Sequence, residues 1–310
     1  MILLLYGEDT FRLKRKLKEI IDHYRKIHKS GLNLRFLDLR EKNFDDFKNE
    51  IQSSPMFSEK KFLILENVSS NSNFKERFLK EIEKFEGPEV IILFLEKQDL
   101  SKDPFFQELK KHSKFQEFKP LTLFKLKYWI INEFRKYGKE IEKDALFRLI
   151  ELAGNDLWQL NNEIKKLVNF QKGNKITLKD VEELVSENVK VNVFRTIDAI
   201  AANNKKKALK LLNSLFERGE KPSFLIALLK FQFKNLLLIK DLIERGKTQR
   251  EITSSLNLHP FIVKNLFPLA KKFSKEKLKK IYFEIFNLEN KIKTGKIDSK
   301  LSLEIFVSQI

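Results

Sequence analysis

The first nine residues constrain the fold of this chain more than any other stretch. Residues 1–6 are a continuous apolar run, which ends at Gly7 and is followed by Glu8 and Asp9. Such a run is typical of a strand buried on both faces of a sheet, and a helix is predicted from about Phe11. A phosphate-binding loop between them would need several glycines, a lysine and a serine or threonine. This turn offers one glycine and two carboxylates, so we expect a nucleotide-binding architecture that binds no nucleotide.

Strand-like apolar runs alternate with helical patterns over the first 120 residues. The predicted strands are 1–6, 34–39, 61–65, 90–95 and 115–118, and the predicted helices between them are 11–28, 43–52, 73–85 and 104–112. This alternation predicts parallel β-α-β units and a sheet covered by helices on both faces. Glu66 follows the third strand, where an ATPase would place an acid that organises magnesium. Without a phosphate loop we favour a solvated strand end for it.

The alternation stops at Lys119 and Pro120, after which no convincing strand is predicted. Helices are predicted over 121–137, 143–152, 157–170 and 178–186. Thr177 is the predicted N-cap of the last of these, with Asp180 three residues further on. From Val191 onward the pattern is again helical. The sequence therefore predicts an α/β module followed by all-α structure.

The helix predicted between Pro222 and Arg245 carries apolar residues on nearly all sides. Pro222 suits a first helical position, and Gly246 suits the position just after a helix end. A helix of this kind must be buried, either at the centre of a bundle or against another subunit. If part of it faces a neighbouring subunit, Phe231 and Leu237 are our candidates for that contact.

Composition limits the possible partners and the compartment. The chain has 61 lysines and arginines against 43 aspartates and glutamates, a net charge of +18. This excess points to nucleic acid, but lysine is spread along the whole chain, and a compositional bias explains it equally well. There is no cysteine, the initial apolar run is too short for a signal peptide, and no run approaches the roughly 20 residues that span a bilayer. We expect a soluble cytoplasmic protein with no membrane partner.

Residues for catalysis or metal binding are scarce. The four histidines include no pair at i,i+4 on a predicted helix, and no serine or threonine lies in a nucleophile-elbow sequence. The carboxylate doublets lie in helix starts or on solvated helix faces. We therefore predict no catalytic site, no metal site and no cofactor.

One stretch, residues 248–266, reads much like a helix-turn-helix, with Asn257 at the turn. Its second helix leaves little beyond Lys264 and Asn265 to contact base edges, and Pro268 is expected to shorten it. We favour two packed helices of a bundle. A stand-alone DNA-binding regulator is the alternative function.

Six separate stretches together resemble one family. They are 5–11, 54–61, 151–157 with 162–163, 181–185, 258–264 and 293–298. In this order they are similar to the delta subunits of the bacterial DNA polymerase III clamp loader, over essentially the whole chain. The resemblance implies an AAA+-like module over 1–119, a small helical lid over 120–190 and a helical collar over 191–310.

The resemblance also implies that ATP binding has been lost, in agreement with the acidic turn after the first strand. Related active ATPases carry an arginine early in a lid helix, and Trp158 stands in the similar position here. The Ser-Arg-Cys finger of those ATPases cannot occur in a chain without cysteine. The expected role is a non-catalytic subunit of the DNA polymerase III holoenzyme in DNA replication.

The resemblance implies a subunit that binds the ring-shaped sliding clamp and opens it for loading on primed DNA. Its other partners would be the ATPase subunits, the delta-prime subunit and primer–template DNA. The implied clamp-binding residues are Pro55, Met56 and Phe57, just before the third strand. The family usually has leucine or phenylalanine where Met56 stands, a departure that a flexible apolar side chain should absorb. The alternative is that Met56 and Phe57 are ordinary core residues.

Overall fold

The structure is a computed structural model that describes residues 1–54, 59–100, 102–186, 188–256, 258, 260–295 and 297–310. It consists of two compact units, Met1–Leu121 and Thr122–Ile310. The division of the second unit into a lid over 120–190 and a collar over 191–310 stays a prediction.

The first unit is an α/β module with a five-stranded parallel sheet. Its strands are β1 (Ile2–Tyr6), β2 (Leu34–Asp38), β3 (Lys61–Glu66), β4 (Val90–Glu96) and β5 (Lys114–Glu117). The helices are α1 (Thr10–Ile27), α2 (Phe44–Gln52), α3 (Ser72–Lys80) and α4 (Pro104–Lys111). The strand order is β2-β3-β4-β1-β5. This arrangement confirms the predicted parallel sheet.

Alternate residues of the central strands enter two separate cores, one on each face of the sheet. From β1, Leu4 packs on the face that carries α2, α3 and α4, whereas Leu5 packs on the face that carries α1. From β3, Leu63 joins the first core and Ile64 the second. A strand that is covered on both faces needs apolar residues at every position, which is why β1 and β3 read as continuous apolar runs.

Phenylalanine rings fill much of the core against α2, α3 and α4. The buried rings are those of Phe44, Phe47, Phe74, Phe78, Phe85, Phe94, Phe105 and Phe106. Neighbouring rings meet mostly edge to face or tilted, the arrangements that their quadrupoles favour. These eight of the 29 phenylalanines in the chain therefore have a structural role.

The helix predicted over 73–85 is interrupted. The α-helix ends at Lys80, and Ile82–Phe85 form a separate 3₁₀ turn. The Glu81 N–H donates to the Phe78 carbonyl, a three-residue bond that tightens the chain at the helix end. Within this turn the Phe85 ring stacks on the Phe78 ring, with centroids 5.1 Å apart.

The second unit is almost entirely helical. Its helices are α5 (Leu123–Arg135), α6 (Lys143–Ala153), α7 (Leu157–Phe170), α8 (Leu178–Leu184), α9 (Val189–Ala201), α10 (Lys205–Glu217), α11 (Pro222–Glu244), α12 (Gln249–Leu256), α13 (Pro260–Lys272), α14 (Lys275–Lys293) and α15 (Ser299–Gln309). Two short strands, β6 (Glu140–Ile141) and β7 (Lys175–Ile176), pair in parallel. The sequence predicted no strand here, because two residues are too few to show a period. Buried residues of α9 to α15 form one continuous core.

Two local predictions in the second unit have different outcomes. The capping box of α8 is confirmed, since the Thr177 hydroxyl accepts from the Asp180 N–H and the Asp180 carboxylate accepts from the Thr177 N–H. The prediction that Pro268 shortens its helix is wrong, because α13 continues to Lys272. Proline removes one main-chain hydrogen bond, but Val263 on the same helix is buried in the core, and tertiary packing of that side supports the helix.

The turn after β1 is held against the ends of two neighbouring strands. The Gly7 N–H donates to the Glu96 carbonyl, and the Asp9 N–H donates to the Phe118 carbonyl, both at 3.0 Å. Gly7 has φ +134°, and a Cβ built there would overlap the Phe118 main chain. Only glycine fits this position without movement of the backbone.

We therefore expect Gly7→Ala to lower the free energy of unfolding by about 2–4 kcal/mol, from a strained φ and a steric overlap together. Gly31→Ala is the matched control, because Gly31 also has positive φ, +63°, but no atom lies within 4 Å of its built Cβ. Urea denaturation of the two variants measures the difference. Equal losses would show that the overlap at Gly7 relaxes without cost.

Candidate functional site

The N-terminus of α1 already holds a carboxylate of the chain itself. Asp9 is the buried N-cap, and its side chain accepts from the Arg12 N–H at 3.0 Å and from Arg12 Nε at 2.5 Å. The Arg12 guanidinium also donates to the Lys119 carbonyl. In a nucleotide-binding module this helix end would receive a phosphate. Here an internal anion occupies the partly positive end of the helix.

The acidic groups at the carboxyl edge of the sheet are also engaged. Glu66 accepts from Lys97 Nζ at 2.9 Å, so it is ion-paired as well as partly exposed. Glu96 is buried and accepts from the Ser69 N–H and hydroxyl at 3.1 and 2.8 Å, and burial raises its pKa. Among the residues that the structure describes, no group of three or more histidine, aspartate or glutamate side chains could hold a metal ion.

The sequence-predicted clamp-binding residues Pro55, Met56 and Phe57 lie outside the described residues. The chain on either side of them is described, and it is firmly held. Lys61, the first residue of β3, is buried, and its ammonium contacts the C-terminal end of α2. Lys61 is only 6% exposed.

The Lys61 ammonium lies among the terminal carbonyls of α2. Nζ donates to the carbonyl oxygens of Glu50 and Ile51 at 2.5 and 3.0 Å, to the Ser53 carbonyl and to the Ser53 hydroxyl at 2.7 Å. A cation at this end also complements the negative end of the helix dipole. Burial lowers the Lys61 pKa, and nearby Glu50 opposes that shift. No role was predicted for Lys61 from the sequence; its only signal is a lysine directly before the four apolar residues of β3.

A second set of contacts holds the chain on the other side of residues 55–58. The Tyr24 hydroxyl donates to the Lys60 carbonyl at 2.6 Å. The Ser30 N–H donates to the Glu59 carboxylate at 3.1 Å, and the Ser30 hydroxyl donates to the other carboxylate oxygen. The hydrogen bond from Ser30 lowers the Glu59 pKa. Both ends of the segment are therefore tied to helices of the α/β module.

Helix α11 buries one side and exposes a regular row on the other. Its buried apolar side chains belong to the core of α9 to α15, and they are Leu225, Ile226, Leu229, Phe233, Leu236 and Ile239. Phe224, Phe231 and Leu238 are exposed at intervals of seven residues, so they lie along one line of the helix. By length and composition α11 could cross a membrane, but its packing within the core explains its apolar character.

The two predicted contact residues of α11 have different environments. Phe231 is 46% exposed, whereas Leu237 is partly buried and packs against the core of its own unit. Leu238, which is not one of the predicted contact residues, is 40% exposed. A helix that is apolar on all sides gives no phase in its sequence, so adjacent leucines could not be told apart.

The helix-turn-helix resemblance over 248–266 corresponds to α12 and α13. Ile252 of α12 and Val263 of α13 are both buried in the core of α9 to α15. Lys264 is exposed, and Asn257 lies outside the described residues. The buried faces of both helices agree with the packed-bundle interpretation.

Two family models match the chain, one in each half. The model described as DNA polymerase III, delta subunit, matches residues 3–119, and the model of the C-terminal domain of that delta subunit matches residues 190–310. The chain belongs to the DNA polymerase III delta subunit family. The predicted resemblance is thereby confirmed.

Individual relatives agree over the whole length. The DNA polymerase III subunit delta of Bacillus subtilis (strain 168) is 29% identical over 318 residues, covering 99% of this chain and 91% of the relative. The probable DNA polymerase III subunit delta of Aquifex aeolicus (strain VF5) is 27% identical, covering 93% and 85%. The solved structure of the Bacillus subtilis DNA clamp loader delta protein has a TM-score of 0.74 at 28% identity, covering 99% of this chain and 94% of its own. None of these comparisons supports the regulator alternative.

The placement of the two leucines on α11 gives a prediction for this delta subunit. Leu237→Asp should lower the free energy of unfolding by about 1–3 kcal/mol, because it puts a charge against the apolar core. Leu238→Asp, one residue along, should change it by no more than about 0.5 kcal/mol. Urea denaturation followed by circular dichroism compares them. Equal destabilisation by the two aspartates would contradict this placement.

Proposed function

We propose that this delta subunit binds the ring-shaped sliding clamp and holds it open for loading on primed DNA, without a catalytic site of its own. The observation that carries the proposal is the pair of fixed ends around residues 55–58, the segment that family resemblance assigns to clamp contact. An anchor is most effective when its supporting chain is held in one geometry before binding. The ammonium of Lys61 and the hydroxyl of Tyr24 provide such support.

The sequence of the segment supports an exposed anchor. Pro55 cannot continue the preceding helix, and the apolar pair Met56 and Phe57 follows it directly. The surrounding residues are polar: Ser53, Ser54, Ser58, Glu59 and Lys60. An apolar centre with a polar rim is the usual composition of a protein–protein contact.

Opening a ring requires more than binding it. A subunit that bound the closed and the open clamp equally well would not shift the equilibrium between them. The proposed contact must therefore prefer the opened clamp, and loss of the anchor should reduce both clamp affinity and clamp opening.

The other partners are proposed on separate surfaces. The exposed row Phe224, Phe231 and Leu238 on α11 is the proposed contact with the ATPase and delta-prime subunits. Asp9 at the N-terminus of α1 supports the proposal that this subunit binds no ATP. The lysines and arginines that give the net charge of +18 are proposed to contact DNA phosphates without sequence preference. The subunit is proposed to act in the cytoplasm.

Phe57→Ala is the direct test of the clamp contact. An aromatic anchor typically carries ~2–4 kcal/mol of binding, so clamp affinity should fall roughly thirty- to a thousandfold and clamp opening should be lost. The thermal midpoint should stay close to that of the wild type. Clamp binding by surface plasmon resonance and release of a circular-DNA-bound clamp are the measurements.

Phe36→Ala is the matched control, because Phe36 is an exposed phenylalanine of the same unit, on β2. It should leave clamp binding unchanged. A much lower melting temperature for Phe57→Ala would support the core alternative. Normal melting with normal clamp opening would refute the assignment of Phe57.

Lys61→Met tests the support of the segment without changing its sequence. Removing the ammonium leaves the terminal α2 carbonyls without their donor, so clamp affinity should fall by at least about fivefold with Phe57 still present. The control is Lys60→Met, because Lys60 is the exposed neighbour of Lys61 in the sequence. This variant should bind the clamp with wild-type affinity. Adding Lys61→Met to Phe57→Ala should lower clamp affinity little further, because the effects of residues that act as a unit are not additive. Full additivity would show that Lys61 affects clamp binding independently of Phe57 and does not support it.

A further inference from the structure

The outer face of α5 exposes two aromatic rings that the fold does not use. Phe124 is 82% exposed, more than any other large apolar side chain that the structure describes, and Tyr128 is 62% exposed. They lie four residues apart, so one turn of helix brings them to the same face, about 6 Å apart along the axis. The opposite side of α5 buries Leu126, Ile130 and Phe134. The helix is therefore anchored by its inner side while these rings remain in water.

The same face of α5 is basic. Arg135 lies eleven residues after Phe124, which returns it to the same line of the helix, and it is exposed. Lys125 and Lys127 flank that line on either side, and Lys127 Nζ lies 3.9 Å from the centre of the Phe147 ring. The acidic residue of α5, Glu133, is buried and accepts from Lys136 Nζ at 2.6 Å. Within α5, which is described throughout, no exposed carboxylate offsets these cations.

We propose that this aromatic and basic face of α5 binds single-stranded nucleic acid. Bases stack on the rings of Phe124 and Tyr128, and Lys125, Lys127 and Arg135 contact the phosphates. Stacking on a protein ring requires a base whose face is free, which a single strand offers and a duplex does not. The inference extends the proposed function, because primed DNA carries a single-stranded template, but it does not depend on the clamp contact.

A protein partner is less well matched to this face. Protein interfaces are enriched in aromatic residues and arginine but depleted in lysine at their centres. Here lysines flank the exposed rings on both sides, and no carboxylate of α5 is available to pair with a cation of a partner. A flexible polyanion with flat apolar bases complements both the charge and the rings.

The test uses the full chain and a fluorescein-labelled oligo-dT of about 15 nucleotides, followed by anisotropy at low salt. Phe124→Ala and Tyr128→Ala should each weaken binding by at least about fivefold, the effect of one lost base stack. Lys125→Gln should lower the slope of log affinity against log salt by about 0.7. The matched control is Phe283→Ala on α14, an aromatic ring that is 64% exposed, which should bind as the wild type does.

The double variant Phe124→Ala, Tyr128→Ala separates the possible outcomes. Loss of oligo-dT binding with a normal thermal midpoint and normal clamp binding supports the proposal. Oligo-dT binding equal to that of the wild type overturns it, and so does an equal loss of binding to blunt duplex DNA. Unchanged oligo-dT binding with impaired co-elution of other loader subunits would assign the face to a protein partner. The clamp proposal, tested with Phe57→Ala, can fail or hold independently.

Discussion

The burial of β1 between β4 and β5 is the constraint on which the α/β module depends. It separates β4 from β5, and it places the β1–α1 turn at the point where the connections diverge to the two edges of the sheet. Ligands of open α/β sheets usually bind at such a point. In this chain Gly7 is pressed against the Phe118 main chain, and Asp9 caps α1 with its own carboxylate. The architecture is kept, while the anion that the helix end favours comes from the protein itself.

The β1–α1 turn therefore has no place for an external anion. The module has another buried charge, the Lys61 ammonium, at the junction of α2 and β3. Burying an ammonium is costly unless hydrogen-bond acceptors surround it, and Lys61 has four oxygen acceptors from three residues. An apolar residue at this position would continue the pattern of β3 and would avoid the desolvation cost. The lysine instead joins the end of a helix to the start of a strand. The structural cost is thus concentrated at the described junction of α2 and β3, beside the segment that is proposed for clamp contact.

The sequence predicted the strands and helices that have a clear apolar pattern or recognisable residues at both ends. β1 and β3 were placed within one residue because both faces are buried, and α11 was placed from Pro222 and Gly246. The sequence could not predict the break at Glu81 or the continuation of α13 through Pro268, because tertiary packing decides both. It could not separate Leu237 from Leu238, since a helix with apolar residues on all sides has no phase. Lys61 was missed because its role depends on the terminal carbonyls of another element, which a linear pattern does not show.

The phenylalanine side chains show that burial cannot be predicted from residue type alone. The same residue type fills the core beside α3 and stands in water at Phe124, Phe231 and Phe283, with nothing in the neighbouring sequence to separate the two uses. Exposed rings contribute little to the free energy of folding. Their removal should therefore lower the affinity for a partner and leave the free energy of unfolding nearly unchanged. The segment at 55–58, the row on α11 and the face of α5 come from three separate stretches of the sequence. Substitutions at sites that share no contacts have nearly additive effects, so each proposed contact can be removed while the others stay intact.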